Sequence, residues 1–294
     1  MRTETGTRSL ALPRHMSAKS LELRPIAPSV CRAVVAKHHY SGTYPRNAQV
    51  NLGVYWGGVL EGGIMFNPPM DRRKVLGLVR DTEWSGVLEL GRMAFSPKLP
   101  RNAESRALAV ALRLLRKHRP SLEWVLSFAD ACQSGDGGIY RACGFWLTGI
   151  NTDSQLWELP EHLVPLTGKR VVHRVTVQDK SNPLSRHILS ATKGKNLQMA
   201  EYTRRFGGRI LQGAQMRYIY PMVPGIRERL TVPIIPYSEI ERRGLRMYRG
   251  QRLAPEASND APAQPGGRGR GGTDPGAPLS PDATALPPER ADGG

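Results

Sequence analysis

The sequence predicts an α/β fold in a single domain, followed by a disordered tail. Three observations lead there. Strand-like and helix-like stretches alternate through residues 21–250. Residues 122–146, LEWVLSFADACQSGDGGIYRACGFW, read in turn as an apolar strand, a glycine-bearing polar loop and a short helix. From residue 254 onward large apolar side chains nearly vanish and Pro, Gly, Ala and Asp dominate, a composition that cannot bury a core.

The elements follow in order. Residues 1–20 are polar and are expected to be disordered, with Met16 as an alternative start. Residues 21–26 alternate apolar and polar, as a strand does, and Pro28 and Ser29 introduce a helix that runs to about His38. Residues 40–45 form a loop by their glycine and proline. Residues 52–55 and 62–66, punctuated by Gly57-Gly58 and Gly62-Gly63, read as a hairpin. Residues 71–85 show no period. Residues 86–95, GVLELGRMAF, read as a central strand. The strongest helix is 103–118, where Ala107, Leu108, Ala111, Leu112, Leu114 and Leu115 make an apolar stripe. Asn102 is read as its N-cap, and Pro120 stops it. Residues 154–159, 170–177 and 216–222 are strand candidates. Residues 181–213 read as a basic, loop-like region with room for a short helix.

Composition narrows the function classes. The net charge is +17, and residues 251–294 carry four arginines against six carboxylates, so the positive excess belongs to the body. A basic folded body calls for a polyanionic partner. Aromatics interleave the later basic clusters at Tyr202, Phe206, Tyr218 and Tyr220, as phosphate contact plus base stacking requires. No apolar run is long enough for a membrane helix, no long amphipathic basic helix suits a membrane surface, and the N-terminus lacks the apolar core of a secretory signal. Cys31, Cys132 and Cys143 form neither a paired framework nor a CxxC, which fits a reducing cytoplasm and argues against structural zinc. Nothing in the composition fixes an oligomeric state, and a homo-oligomer stays open.

The candidate chemistry gathers where the strand that opens residues 122–146 ends. Ser127 and Asp130 fall near the carboxyl end of a strand, the usual ligand side of an open α/β sheet, and Tyr140 falls in the first turn of the helix that follows. An acid, a hydroxyl and a phenol there could handle protons. Equally, Ser127 could satisfy backbone groups, Asp130 could cap a loop, and Tyr140 could be an ordinary half-buried phenol. His39, with Tyr40 and Ser41, ends the first helix, where an imidazole is a base, a metal ligand or a favourable charge on the dipole. Glu89 and Arg92 stand three apart on the central strand, which on a regular strand puts them on opposite faces. Arg92 could hold a phosphate, orient Asp130 or form a structural salt bridge. Cys132 reads as a buried thiol. The helix start at Arg101, Asn102 and Ser105 can take an anion through its open N–H groups, although Glu104 opposes this.

The motifs HYSGT (39–43), ELGRMAFS (89–96), LPRNAES (99–105), SFAD (127–130) and GGIYRACGF (137–145), with RYIYP at 217–221, resemble the Mom family of phage DNA-modification proteins. The order of elements resembles the GNAT acetyltransferase fold, and implies a mixed central sheet flanked by helices. The resemblance implies a transferase that converts the N6 amine of adenine in double-stranded DNA to a carbamoylmethyl derivative, protecting phage DNA from restriction in the host cytoplasm. It places functional positions at His39, Tyr40, Arg92, Asp130 and Tyr140. Iron dependence is proposed for that family, and makes His39, Tyr40 and Asp130 candidate ligands, a mixed N/O set that suits iron. One departure bears on the donor: LPRNAES lacks the glycine-rich turn with which acetyltransferases grip a CoA pyrophosphate, which leaves the donor open and acetyl-CoA in doubt. Two other readings stand beside this one, a GNAT acetyltransferase acting on a small-molecule or protein amine and a non-catalytic basic DNA-binding protein.

Overall fold

Glycine turns and alternating apolar residues lay short strands side by side at the centre of the molecule. The computed structural model describes residues 17–132, 135–152, 155–248 and 251–253. Strand β1 (Glu22–Pro25) leads to helix α1 (Pro28–His38), with Pro28 in the first turn. Strands β2 (Val50–Trp56) and β3 (Val59–Asn67) form the expected hairpin, turned by Gly57 and Gly58 at positive φ. After helix α2 (Arg72–Leu76) come β4 (Val87–Phe95), α3 (Ala103–His118), β5 (Trp124–Asp130), α4 (Gly138–Ala142) and β6 (Trp146–Asn151).

These strands, completed by β10 (Gln215–Pro221), make one seven-stranded mixed sheet in the order β1-β2-β3-β4-β5-β10-β6. Only β4 and β5 run parallel. Helix α3 covers one face: Ala107, Leu108, Ala111 and Leu112 pack with Val54, Ile64, Phe66, Leu88 and Leu90. Helix α1 covers part of the other, where Cys31 and Val35 meet Met65 and Ala94. Gly63 permits that approach, since a Cβ there would lie 3.2 Å from the Cys31 sulfur. Lower on the same face Val75 of α2 and Val79 just beyond it pack on Val87, Trp124 and Leu126. The resulting mixed sheet flanked by helices is the α/β architecture expected from the sequence.

Between β6 and β10 the structure departs from the sequence reading. Residues 170–177 are not one strand: β8 (Val171–His173) stops after three residues, and α5 (Arg174–Gln178) follows. His173 turns the chain, its Nδ1 accepting the Val175 N–H at 3.2 Å. Residues 181–213 are not mainly loop either. They hold α6 (Pro183–Ala191), α7 (Met199–Phe206) and β9 (Arg209–Ile210), and β9 joins β7 (Leu156–Glu158) and β8 in a second, three-stranded sheet. These short elements have a core of their own around Trp157, Leu163, Leu184, Ile188 and Tyr202. Helices this short are held by burial of an apolar face and not by propensity, so local pattern gave little sign of them. The residues beyond 253, within the disordered tail expected over 251–294, lie outside the described residues, as do residues 1–16 of the N-terminal segment expected to be disordered, and Gln133, Ser134, Asp153, Ser154, Arg249 and Gly250.

Candidate functional site

The site begins with two strands that part company. β4 and β5 pair only from Val87↔Trp124 to Glu89↔Leu126. Beyond that register the strands have no mutual ladder, and each must satisfy its backbone elsewhere. Arg92, Ser127 and Asp130 all lie past this point.

A β-bulge decides which way Arg92 points. In the β3–β4 ladder Met65 faces Arg92 and Phe66 faces Leu90, so Gly91 is the extra residue. Leu88 and Leu90 face α3 before the bulge, and Met93 and Phe95 do so after it, while Ala94 packs under α1. Glu89 and Arg92 therefore share the α1 face, contrary to the regular-strand expectation. Gly91 is required there, because a Cβ would fall 1.8 Å from Asn67 Oδ1.

The loop after α1 closes over Arg92. Arg92 Nε donates to the Thr43 carbonyl at 3.0 Å and Nη2 to Thr43 Oγ1 at 3.1 Å. Thr43 Oγ1 lies 2.9 Å from Ser41 Oγ, and Ser41 Oγ lies 2.8 Å from His39 Nδ1. The Ser41 N–H also donates to that nitrogen, at 3.2 Å, so the hydrogen-bond pattern assigns Nδ1 as acceptor and the proton to Nε2. Burial first, then the Arg92 charge, pushes His39 down to about 4. Its imidazole is neutral at physiological pH. Lys169, from the residues between β7 and β8, pins the same loop through Nζ to the Ser41 carbonyl at 2.7 Å.

Asp130 completes this side. Its Oδ1 accepts the Cys132 N–H at 2.9 Å, and the Tyr40 hydroxyl faces its Oδ2 at 3.5 Å. Tyr40 is 53% exposed, so the pair opens to solvent. His173, which the sequence reading passed over, lines a small cleft with Asp130, Cys132, Asn151, Gln155 and Gln215. Burial lowers its pKa, and the nearby Asp130 charge opposes that. The only sequence signal was a histidine after two valines, which looks like any edge-strand residue.

Tyr140 approaches from the other face. Its ring packs on Phe145 and Tyr218, with centroids 5.3 and 5.1 Å away, and its hydroxyl donates to the Phe128 carbonyl at 3.4 Å. An Asp136–Arg141 ion pair and a 2.6 Å bond from the Tyr218 hydroxyl to the Asp136 carbonyl fix the start of α4. Burial raises the Tyr140 pKa; the Ser127 hydroxyl and the Arg92 charge oppose this, while Glu89 adds to it. Glu89 itself is raised by burial, with Arg92 opposing. Ser127 is fully buried on the α3 face with Val125 and Ala129, away from Asp130, and its Oγ lacks a hydrogen bond of normal geometry. The expected cluster is thus two sub-clusters. His39, Tyr40, Ser41, Arg92 and Asp130 hold one face, Tyr140 and Ser127 the other.

The start of α3 stands on the α3 face as well. Asn102 sits there with left-handed backbone (φ 65°) and makes no side-chain cap, contrary to its reading as a capping side chain. Ser105 Oγ donates to the Asn102 carbonyl at 3.2 Å, and Arg101 is exposed. Among the described residues no hydrogen bond joins these three side chains to Arg92. Among the described residues no group of three or more His, Cys, Asp or Glu could hold a metal, so a metal at Asp130 and His39 would need the Tyr40 phenol as a third donor. No helix among the described residues is long and apolar enough to cross a membrane.

Comparison with known proteins yields three results. The model of the Mom protein family matches residues 20–239. "Methylcarbamoylase mom" of Escherichia phage Mu is 38% identical over 146 residues, covering 48% of this chain and 58% of that protein. Among solved structures, a Bacillus subtilis acetyltransferase in complex with CoA aligns at 10% identity and a TM-score of 0.36, over 69% of this chain and 98% of that one. The ribosomal-protein-S18-alanine N-acetyltransferase of Escherichia coli aligns at 9% identity and the same TM-score, over 69% and 94%.

Proposed function

For a chain that belongs to the Mom protein family, we propose a transferase that converts the N6 amine of adenine in double-stranded DNA to its carbamoylmethyl derivative, protecting phage DNA from restriction. The chain spans a little over half of its phage Mu relative, 58%. The observation that carries the reading is the meeting of Tyr40 and Asp130 beside the Arg92–Thr43–Ser41–His39 chain, where β4 and β5 separate.

The chemistry needs such an arrangement. The exocyclic amine is a poor nucleophile, because its lone pair is delocalised into the ring. One N–H proton must leave, a bond must form from N6 to the donor's methylene carbon, and the donor's leaving group must depart. Asp130 is the group we assign to accept the proton. Tyr140, kept protonated by burial, is suited to donate or orient. Arg92 remains cationic and balances developing negative charge. The base leaves the stack to reach Asp130. Iron, where bound, would be held by the neutral His39 imidazole, Tyr40 and Asp130, and would supply Lewis-acid polarisation. Arg101, Asn102 and Ser105 remain our assignment for an anionic part of the donor, since α3 starts without a side-chain cap.

The test is mass spectrometry of nucleosides from plasmid DNA co-expressed with the protein. A carbamoylmethyl-adenine peak is expected, and it should disappear in Asp130→Asn and Tyr140→Phe variants that still fold. Soluble wild-type protein with only unmodified adenine overturns the proposal. An acetylated amine product without DNA would instead favour the acetyltransferase reading.

A further inference from the structure

The elements between β6 and β10 carry two classes of cation. Arg170 and Arg209 both pair with Glu158, and Arg204 and Arg205 both pair with Glu201. Lys180, Arg186, Lys193 and Lys195 are exposed and form no ion pair among the described residues. Leaving these cations unpaired keeps like charges together, which no stability argument favours.

Helix α6 orders them. Leu184, Ser185 and Ile188 are buried in the second core, so Arg186 and Ser190, four residues on, face outward, with Lys193 one turn further just past the helix end. Lys180 sits in the turn before α6, next to Asp179, whose carboxylate accepts the Ser181 N–H at 3.0 Å. This turn follows α5, whose N-cap His173 lines the cleft at Asp130, and Asn182 Nδ2 donates to the Thr176 carbonyl, holding the turn against α5. Lys169 is bonded to Ser41 in the loop that closes over Arg92. Lys180 is thus one short helix away from the cleft at Asp130, and Lys195 stands three residues before Gln198, which lines a pocket with Gln155 of that same cleft.

We propose that Lys180, Arg186, Lys193 and Lys195 form the surface on which the phosphate backbone of duplex DNA lies while one base reaches the site. This deepens the function proposed above and rests on DNA being the substrate. The second small core is then a backbone grip added beside the catalytic sheet. It reads charge and not sequence.

Binding of the full chain to an unmodified duplex, followed by fluorescence anisotropy at several salt concentrations, tests this. Each phosphate contact adds about 0.9 to the slope of log affinity against log salt. The variant Lys180→Gln/Arg186→Gln/Lys193→Gln/Lys195→Gln is expected to lower the magnitude of the slope by about 3.6 and to weaken binding at least tenfold at physiological salt. Replacing the same four residues by the alternative basic residue should retain the slope. Arg113→Gln/Lys117→Gln, at the end of α3 remote from the site, should leave it unchanged. A four-residue variant with wild-type slope overturns the proposed surface while leaving DNA as the substrate. A wild-type chain whose duplex binding shows no salt dependence overturns the surface and the DNA reading together. All six substituted side chains are exposed, and thermal unfolding of each variant confirms that the fold is kept.

Discussion

Glu89 and Arg92 share one face of β4 because Gly91 is bulged out of the ladder between them. Asn67 on the neighbouring strand fits against this bulge, its Oδ1 occupying the space of the missing Gly91 side chain. Gly91→Ala forces that atom or the strand to move, and we expect a loss of about 2–3 kcal/mol in denaturant unfolding. Asn67→Ala should relieve the clash, so the double variant should lose less than the two singles added together. Strict additivity would show that Asn67 does not constrain Gly91.

Glu89 offers a pH test. Burial raises its pKa above the ordinary 4.5. Just above pH 4.5 the folded state therefore holds a proton that the unfolded chain has released, and stability falls as pH rises from there through the raised folded-state pKa. Glu89→Gln removes the titration. We expect the variant to gain on the wild type between about pH 4.5 and neutrality. An identical gap at pH 4 and pH 7 would mean that Glu89 titrates alike in both states.

Thr43 links Arg92 to the Ser41–His39 end of the loop. Thr43→Val keeps the carbonyl that Arg92 Nε bonds and deletes the hydroxyl at Nη2 and Ser41. Loss of one charge-assisted bond predicts about a tenfold fall in modified adenine at limiting enzyme. Arg92→Lys, which cannot fork to both Thr43 oxygens, should fall further. Equal yields from Thr43→Val and the wild type would detach the loop from the chemistry.

Cys31 is fully buried beneath α1, and burial pushes its thiol up to about 11. At pH 8 almost none of it is thiolate, and its Sγ is shielded by Gly63 and its neighbours. We expect no alkylation by iodoacetamide in the native protein, and rapid alkylation in denaturant. Native labelling at the rate of an exposed thiol would show that α1 opens readily.

Much of this was legible in the chain. The stripe from Ala107 to Leu115 marked α3, and the apolar run from Trp124 marked β5. The motifs around His39, Arg92, Asp130 and Tyr140 pointed to the family whose model matches residues 20–239. Those signals are local: a helical stripe, a strand run or a short motif lies within a few residues. The facing of Arg92, the split that leaves Ser127 and Tyr140 across the sheet from Asp130, and the approach of His173 were decided elsewhere. A bulge is a mismatch between two strands, and Asn67, which fits against it, lies 24 positions before Gly91. The helices between β6 and β10 exist because Trp157 and Tyr202 share a core. Sequence alone determined which elements and chemical groups this protein carries. Only the tertiary structure decided which of those groups meet, because strand register and burial depend on residues distant along the chain.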